Sequence, residues 1–100
     1  MSHKKKEIAP VHPGEILLEE FLKPLGMTMN QLALALRVPA NRINQIVDGE
    51  RGVSAETALR LGRFFRTGPE FWLNLQSRYD LECAKDQAEK EIEREVQPRV

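Results

Sequence analysis

The residues best suited to specific chemistry in this sequence lie within one short stretch and carry amide or guanidinium groups: Asn41, Arg42, Asn44 and Gln45. An amide can form two hydrogen bonds with N6 and N7 of adenine, and a guanidinium can form two with O6 and N7 of guanine. Ile43, Ile46 and Val47 lie among and just beyond them, at spacings of three and four. This spacing predicts a helix with a buried apolar face and an exposed polar face.

A second helix is predicted immediately before this one. Thr28 and Gln31 fit the S/T-x-x-E/Q capping box, in which both side chains accept hydrogen bonds from free backbone N–H groups at a helix start. Residues 32–36 are all leucine or alanine, which are among the best helix formers. Arg37-Val38-Pro39 ends this helix, because proline restricts the preceding residue to extended backbone. Two short helices around a tight break, the second with a polar outer face, indicate a DNA-binding helix-turn-helix.

The N-terminal part of the chain predicts another helix. His12-Pro13-Gly14-Glu15 opens it, since proline suits the first helical position and Glu15 complements the positive end of the helix dipole. His12 is expected to act as a structural cap or to make a surface contact. Lys23-Pro24-Leu25-Gly26 ends the helix. Its buried stripe is expected to contain Ile16, Leu17, Phe21, Leu22 and Leu25.

Two more helices are predicted after the turn at Gly49, which supplies a left-handed C-terminal cap. Ser54 starts the fourth helix, whose core face is expected to contain Ala58, Leu59, Leu61, Phe64 and Phe65. Residues 67–70 combine a cap with a proline and start the fifth helix, which is expected to continue to about Lys90, to fray beyond it and to stop before Pro98. The expected fold class is all-α, a five-helix repressor-like helix-turn-helix domain with an extended C-terminal helix.

The fifth helix carries a stripe of aromatic and aliphatic residues: Phe71, Trp72, Leu75 and Tyr79. This is more apolar surface than the core of so small a domain needs, so we expect the stripe to form a homodimer interface. For Trp72, an equally good interpretation is that it closes the monomer core. We expect a flexible basic tail in residues 1–11, the helix-turn-helix domain in 12–80 and an acidic helical extension in 81–100.

Charge is distributed unevenly, although the net charge is zero. Residues 1–79 carry a net charge of +3 and residues 80–100 a net charge of −3, and every basic residue between Lys23 and Lys85 is arginine. Arginine suits bidentate contact with phosphate and with guanine. For three of these arginines, helix capping or solvation is as good an interpretation as DNA contact: Arg60, Arg63 and Arg66.

The same sequence disfavours enzymes, metalloproteins and membrane proteins. It has no paired nucleophile and base, no glycine-rich phosphate loop and no metal-ligand cluster, so we predict no catalytic residue, metal or cofactor. No apolar run approaches the ~20 residues of a transmembrane helix, and the charged start does not resemble a secretory signal. The single cysteine, Cys83, fits the reducing cytoplasm.

Three segments resemble a known family. Residues 28–51 resemble the phage-repressor (Xre) type of helix-turn-helix. His12-Pro13-Gly14-Glu15 before it, and Pro69-Glu70-Phe71-Trp72-Leu73-Asn74-Leu75-Gln76 with Tyr79-Asp80-Leu81 after it, resemble the HigA antitoxins. The resemblance implies a dimer that neutralises a HigB-type toxin, a ribosome-dependent mRNA endonuclease. It also implies repression of the shared operon by binding a double-stranded operator palindrome.

The resemblance also implies DNA contacts by position. Base edges in the major groove are expected to meet Ala40, Asn41, Arg42 and Gln45. Phosphates are expected to meet Thr28, Asn30, Gln31 and Arg51. Many relatives carry glutamine directly after the capping threonine, where this chain has Met29, so that Asn30 or Gln31 is expected to take the phosphate contact.

Two other functions are compatible with these residues. A stand-alone helix-turn-helix repressor would share the DNA chemistry and lack the toxin, and a small basic open reading frame beside the gene would favour the antitoxin. A module that uses the same fold only to bind protein is favoured by the zero net charge and by Met29. A gel shift with the DNA upstream of the gene separates this module from both DNA-binding functions.

Overall fold

The part of the chain that the structure describes folds into five helices, as the sequence predicts. In the computed structural model, which describes residues 9–99, no described residue belongs to a β-strand. The helices are α1 (three consecutive segments, Pro13–Ile16, Leu17–Leu22 and Lys23–Leu25), α2 (Met29–Leu36), α3 (Ala40–Val47), α4 (Ala55–Phe65) and α5 (Pro69–Glu95). The predicted all-α class is therefore confirmed. Most of the predicted basic tail, residues 1–8, lies outside the described residues.

Side-chain caps fix where three of the helices begin. His12 Nδ1 accepts a hydrogen bond from Gly14 N–H at 2.9 Å, which confirms the predicted structural cap. Thr28 Oγ1 accepts from Gln31 N–H at 3.0 Å, while Gln31 Oε1 accepts from Thr28 N–H at 2.9 Å. The predicted capping box at the start of α2 is thus complete. Ser54 caps α4 in the predicted position, through its side-chain oxygen.

Left-handed residues fix where the first three helices end. Gly26, Arg37 and Gly49 have φ angles of 65°, 61° and 79°. At the end of α2, the N–H groups of Arg37 and Val38 bond back to α2 carbonyls at 3.2 Å and 3.0 Å, in the pattern of a Schellman motif. The sequence prediction placed this break correctly but attributed it to Pro39. The left-handed Arg37 makes the turn, and Pro39 supplies the extended residue before α3.

The middle of α1 is π-helical, and Pro24 provides the physical reason. Proline has no N–H, and in an α-helix its ring clashes with the carbonyl four residues earlier. In the segment Leu17–Leu22 the turns widen, and Lys23 N–H bonds to Leu18 O, five residues back. The wider turn allows the helix to pass through Pro24 and to end at the predicted glycine, Gly26.

Trp72 lies at the centre of the core. Its indole is fully buried and packs against Phe21 and Phe71, with ring centroids 5.0 Å away in both cases. Trp72 Nε1–H donates to Thr67 Oγ1 at 2.9 Å. The Thr67 hydroxyl therefore bonds to the indole. Helix α5 begins at Pro69 after the N-cap residue Gly68, without the predicted side-chain cap, although the predicted proline in its first turn is present.

Three residues predicted in the core are exposed instead: Leu25, Leu59 and Phe64, at 62%, 60% and 41%. The buried residues of α4 are Thr57, Ala58, Leu61 and Gly62. Because a helix rotates by about 100° per residue, Leu59 and Phe64 fall outside that face. On that face, position 62 must be glycine because α5 begins so close that a Cβ on Gly62 would lie 2.4 Å from the carbonyl carbon of Gly68. Leu25 lies in the last turn of α1, where the chain reverses.

Helix α5 is longer than predicted. It continues to Glu95 without the fraying predicted beyond about Lys90, and the predicted stop before Pro98 is confirmed. Two like-charge pairs four residues apart oppose the helix here, Glu89–Glu93 and Glu91–Glu95, but they cost only about 0.2–0.5 kcal/mol each. Trp72 is the only buried residue among the 27 of α5, so the second half of the helix extends away from the core. Neither α5 nor any other described helix has the length and apolarity that crossing a membrane requires.

Candidate nucleic-acid interface

The polar face of α3 lies at the surface. Every side chain predicted to meet bases has exposed surface: Ala40, Asn41, Arg42 and Gln45. Asn44 beside them is also exposed. On the opposite face, Ile43 and Ile46 are fully buried in the core. A duplex can therefore meet the polar face without any rearrangement of the domain.

Gly14 fixes how α3 sits on the domain. The first turn of α1 packs against the C-terminal end of α3, and a Cβ on Gly14 would lie 1.8 Å from Ile46 O and 2.9 Å from Val47 Cα. Both are backbone atoms of α3, so only a residue without a side chain permits this approach. The sequence prediction used Gly14 only as part of a helix start and missed this role. The signal was a glycine inside the first turn of a helix, where alanine is otherwise favoured.

The start of α2 presents hydrogen-bond donors that suit a phosphate. The capping box uses Thr28 Oγ1 and Gln31 Oε1 as acceptors, which leaves the Thr28 O–H and the Gln31 amide N–H groups free to donate. Asn30 is exposed, while Met29 is half-buried and packs against the core. The positive end of the helix dipole also favours an anion here. Asn30 and Gln31 thus offer the amide that Met29 lacks.

Arg42 and Arg60 share one carboxylate. Arg42 Nη1 lies 3.6 Å from Glu56 Oε1, and Arg60 Nη2 lies 3.0 Å from Glu56 Oε2. Arg60 Nη1 also donates to the carbonyl of Leu36, the last residue of α2, at 2.8 Å. Of the two interpretations of Arg60, helix capping is therefore the one that the structure supports. Both interpretations stay open for the other two arginines of α4 and its end, Arg63 and Arg66.

The loop after α3 is fixed on both sides of Arg51. Arg51 N–H bonds to Gln45 O at 3.2 Å, and Val53 N–H donates to Gln76 Oε1 at 2.7 Å. Gln76 lies on α5, so the last helix of the domain holds the loop that carries the predicted phosphate ligand. The Arg51 residue itself is exposed. The sequence prediction did not foresee this role of Gln76, because the partner lies 23 residues away.

His12 joins the start of α1 to this loop and to α5. Its ring packs edge-on against Tyr79, with centroids 4.8 Å apart. Burial lowers the pKa of His12 below its ordinary value of 6.5, and the Asp80 carboxylate, the Arg51 backbone and Glu15 offset part of this effect. The ring is therefore neutral at neutral pH, as the cap requires, because Nδ1 must keep a lone pair to accept the N–H of α1.

Known proteins share this fold and these motifs. Residues 18–72 match the helix-turn-helix family HTH_3. Antitoxin HigA-1 of Vibrio cholerae is 40% identical over 79 residues, which cover 78% of this chain and 73% of that protein. The structure of a HigA-family addiction module antidote protein from Coxiella burnetii is 51% identical and has a TM-score of 0.88, over 92% of this chain and 100% of that chain. The chain belongs to the HigA family of helix-turn-helix antitoxins.

A second HigA structure adds a ligand to the comparison. The antitoxin HigA of Pseudomonas aeruginosa, solved with the higBA promoter, is 48% identical to this chain and has a TM-score of 0.88. The match covers 91% of this chain and 99% of that one. The shared fold therefore extends well beyond the matched helix-turn-helix segment, residues 18–72.

The motifs that resemble HigA antitoxins build the frame behind the polar face of α3. In the first motif, His12 caps α1 and Gly14 seats α3. In the second, Trp72 closes the core and Gln76 holds the loop after α3. None of these four residues belongs to the predicted DNA-contacting set. The HigA motifs thus position the interface rather than form it.

The prediction of a four-residue dimer interface on α5 has to be corrected at one residue, Trp72. Trp72 has no exposed surface in the single chain, so it closes the monomer core and cannot contact a second subunit. Phe71 is 38% exposed, and Leu75 and Tyr79 are half-buried. These three are spaced four residues apart and lie on one side of α5. They keep surface that a partner can cover.

Proposed function

We propose that this protein is the antitoxin of a type II toxin–antitoxin pair. It binds and neutralises a HigB-like mRNA endonuclease toxin and, as a homodimer, represses its own operon by binding double-stranded operator DNA. The observation that carries the proposal is the exposed amide and guanidinium face of α3, anchored from behind by Ile43 and Ile46. Membership of the HigA family supports the toxin-binding part, and the promoter present in the P. aeruginosa HigA structure supports the DNA-binding part.

In this proposal, α3 enters the major groove and its side chains read bases directly. Asn41 and Gln45 pair with adenine through N6 and N7, and Arg42 pairs with guanine through O6 and N7. Ala40, at the first turn, contacts a thymine methyl group. Each good bidentate contact contributes about 1–3 kcal/mol of discrimination against the wrong base.

Phosphate contacts fix the register of α3 in the groove. The start of α2 supplies one set, through Thr28, Asn30 and Gln31, where free donors and the helix dipole coincide. Arg51 supplies a second contact from the loop that Gln76 holds. These phosphate contacts determine the overall affinity for DNA and its dependence on salt, whereas the α3 contacts determine which DNA sequence is preferred.

Dimerisation gives the protein two recognition helices. Phe71, Leu75 and Tyr79 on α5 form the interface, and the two copies of α3 occupy half-sites about 34 Å apart, or a multiple of this distance. The helix-turn-helix domain comprises residues 12–80, and residues 81–100 form an acidic extension. The protein acts by binding and not as an enzyme. It works in the cytoplasm, where the operator and the mRNA that the toxin cleaves are both present.

Replacement of Arg42 by alanine tests the DNA-binding part. We expect the ratio of affinities for operator and scrambled DNA to fall by about 5- to 150-fold, the equivalent of one bidentate contact. Fluorescence anisotropy with the DNA upstream of the gene and a scrambled duplex measures this ratio. Arg78→Ala, which removes an exposed arginine of α5, is the matched control and leaves the ratio unchanged. A ratio that is the same in Arg42→Ala as in the wild type would remove Arg42 from the base-reading residues.

Two further measurements separate the alternatives. Wild-type protein that shifts neither duplex would favour the protein-binding module over the repressor. Co-expression with the product of the neighbouring gene tests the toxin-binding part. Isolation of a stable complex supports the antitoxin, and DNA binding without such a complex supports a stand-alone repressor.

A further inference from the structure

Glu56 links the base-reading helix to the rest of the domain. It lies in the first turn of α4, and its two carboxylate oxygens contact different arginines. Oε2 accepts hydrogen bonds from Arg60 Nη2 at 3.0 Å and from Arg60 Nε at 3.3 Å. Oε1 faces Arg42 Nη1 on α3 at 3.6 Å. The carboxylate therefore connects an arginine of α4 with an arginine of α3.

Arg60 fixes the orientation of this carboxylate. Its guanidinium is itself anchored, since Nη1 donates to the carbonyl of Leu36 at the end of α2. Hydrogen bonding by Arg60, with the positive charges of Arg60 and Arg42, lowers the pKa of Glu56 below its ordinary value of 4.5. Glu56 is therefore a carboxylate at neutral pH. A continuous set of contacts runs from α2 through Arg60 and Glu56 to Arg42.

The contact limits the freedom of Arg42 without using up its donors. The Arg42 side chain is 25% exposed, against 61% for Glu56, so it lies partly against the protein surface. A guanidinium has five N–H donors in a fixed planar fork, and only Nη1 faces Glu56. The remaining donors stay available for O6 and N7 of a guanine. A side chain already held in one orientation loses less conformational freedom when it binds.

We propose that Glu56 is a positioning residue for base recognition, which holds the Arg42 guanidinium beside α3 and thereby sets how strictly the protein discriminates its operator from other DNA. This inference rests on the proposed function, in which Arg42 reads guanine. Glu56 itself contacts no base. Its negative charge also repels phosphates, which weakens binding to all DNA to the same degree. Glu56 therefore lowers affinity in general while raising selectivity.

The test is a double-mutant cycle with Glu56→Gln and Arg42→Ala, measured by fluorescence anisotropy on operator and scrambled duplexes of equal length. Glu56→Gln keeps the shape of the side chain and removes its charge. We expect affinity for scrambled DNA to rise, and the operator-to-scrambled ratio to fall by about 3- to 10-fold, a partial loss of one bidentate contact. In the Arg42→Ala background, adding Glu56→Gln should change the ratio by less than about 2-fold, because Glu56 affects the ratio only through Arg42, so that the two substitutions are non-additive, as is typical of residues in contact.

Glu50→Gln is the matched control, because Glu50 is an exposed carboxylate of the neighbouring loop and forms no ion pair with the described residues. It should raise affinity for both duplexes and leave their ratio unchanged. Thermal unfolding should shift by less than about 4 °C in Glu56→Gln, since exposed ion pairs contribute little to stability. This separates a loss of positioning from a loss of fold.

Two results would overturn the inference about Glu56 without affecting the proposed function. One is a Glu56→Gln protein with an unchanged ratio, beside a wild type that prefers its operator. The other is an equal fall of the ratio with and without Arg42, which would mean that Glu56 acts through another group. A wild-type protein that binds both duplexes equally would overturn the proposed function, and this inference with it.

Discussion

Replacement of Gly14 by alanine sets two physical effects of opposite sign against each other. Gly14 is in the first turn of α1, where alanine is favoured over glycine by about 0.5–1 kcal/mol. The new Cβ, however, would lie 1.8 Å from Ile46 O, whereas ordinary contacts begin at 3.4 Å. The obstacle is backbone inside a helix, which cannot rotate aside as a side chain can. The variant therefore forces α1 and α3 apart by more than an ångström.

The cost of this separation exceeds the gain in helix propensity. Overpacking a well-packed interior typically costs about 1–3 kcal/mol, and contact with rigid backbone belongs at the upper end. After subtraction of the propensity gain, we expect Gly14→Ala to lose about 2 kcal/mol. For a domain of this size this lowers Tm by roughly 8–16 °C. Circular dichroism melts at one fixed protein concentration measure the change, because dimerisation makes Tm depend on concentration.

A second glycine provides the control. Gly26 has φ of 65° and no neighbouring atom within 4 Å of the position a Cβ would take, so Gly26→Ala meets a conformational cost of about 1 kcal/mol and no clash. Gly14→Ala should also weaken operator binding at temperatures where it is fully folded, because α3 is displaced. Gly26→Ala should not. A Gly14→Ala protein with wild-type or higher Tm would show that helix propensity outweighs the contact, and the account of how α3 is seated would then be wrong.

Three further outcomes are expected. Arg51→Ala should weaken operator and scrambled DNA about equally and reduce the slope of log affinity against log salt by ~1, whereas Arg78→Ala should not; an unchanged slope would mean that Arg51 touches no phosphate. Stability should decrease as the pH falls below 6.5 toward the lowered pKa of His12, because His12 takes up a proton at a higher pH in the unfolded chain than in the folded one. Thermal melts of the wild type and of His12→Asn, which keeps a capping side chain, should depend differently on pH in this range. Parallel plots of Tm against pH for the two proteins would exclude His12 as the cause. Trp72→Phe should lower Tm through the loss of buried volume and of the hydrogen bond to the Thr67 hydroxyl, yet leave the dimer dissociation constant unchanged. Phe71→Ala, in contrast, should weaken the dimer, as measured by analytical ultracentrifugation. A dimer weakened by Trp72→Phe and not by Phe71→Ala would contradict the assignment of Trp72 to the core and of Phe71 to the interface.

Local signals predicted the helix boundaries of this chain well. The capping box at Thr28, the cap at Ser54 and the left-handed turn at Gly49 involve residues within a few positions of each other, so the sequence alone specifies them. The left-handed Arg37 carries no comparable signal, because non-glycine residues rarely adopt this conformation.

Close backbone contacts could not be predicted in the same way. Gly62 occupies a buried position on α4 where the start of α5 approaches its backbone, while Leu59 and Phe64 lie outside the buried face of that helix. A pattern of large apolar residues contains no information about such an approach. The polar face of α3 was predictable from its period, since Ile43 and Ile46 fix which side is buried. The contact between Arg42 and Glu56 joins two helices, and it became apparent only in three dimensions.

The C-terminal half of α5 is helical because the core holds the N-terminal half of the same helix. Starting a helix is the unfavourable step, and adding a residue to an existing one is nearly neutral even for charged side chains. The turns around Trp72 are held by the core, and residues 82–95 extend that template without a buried side chain of their own. An isolated peptide of residues 82–95 should therefore be largely unfolded in water. In the single chain, its amide hydrogens should exchange with solvent far sooner than those near Trp72.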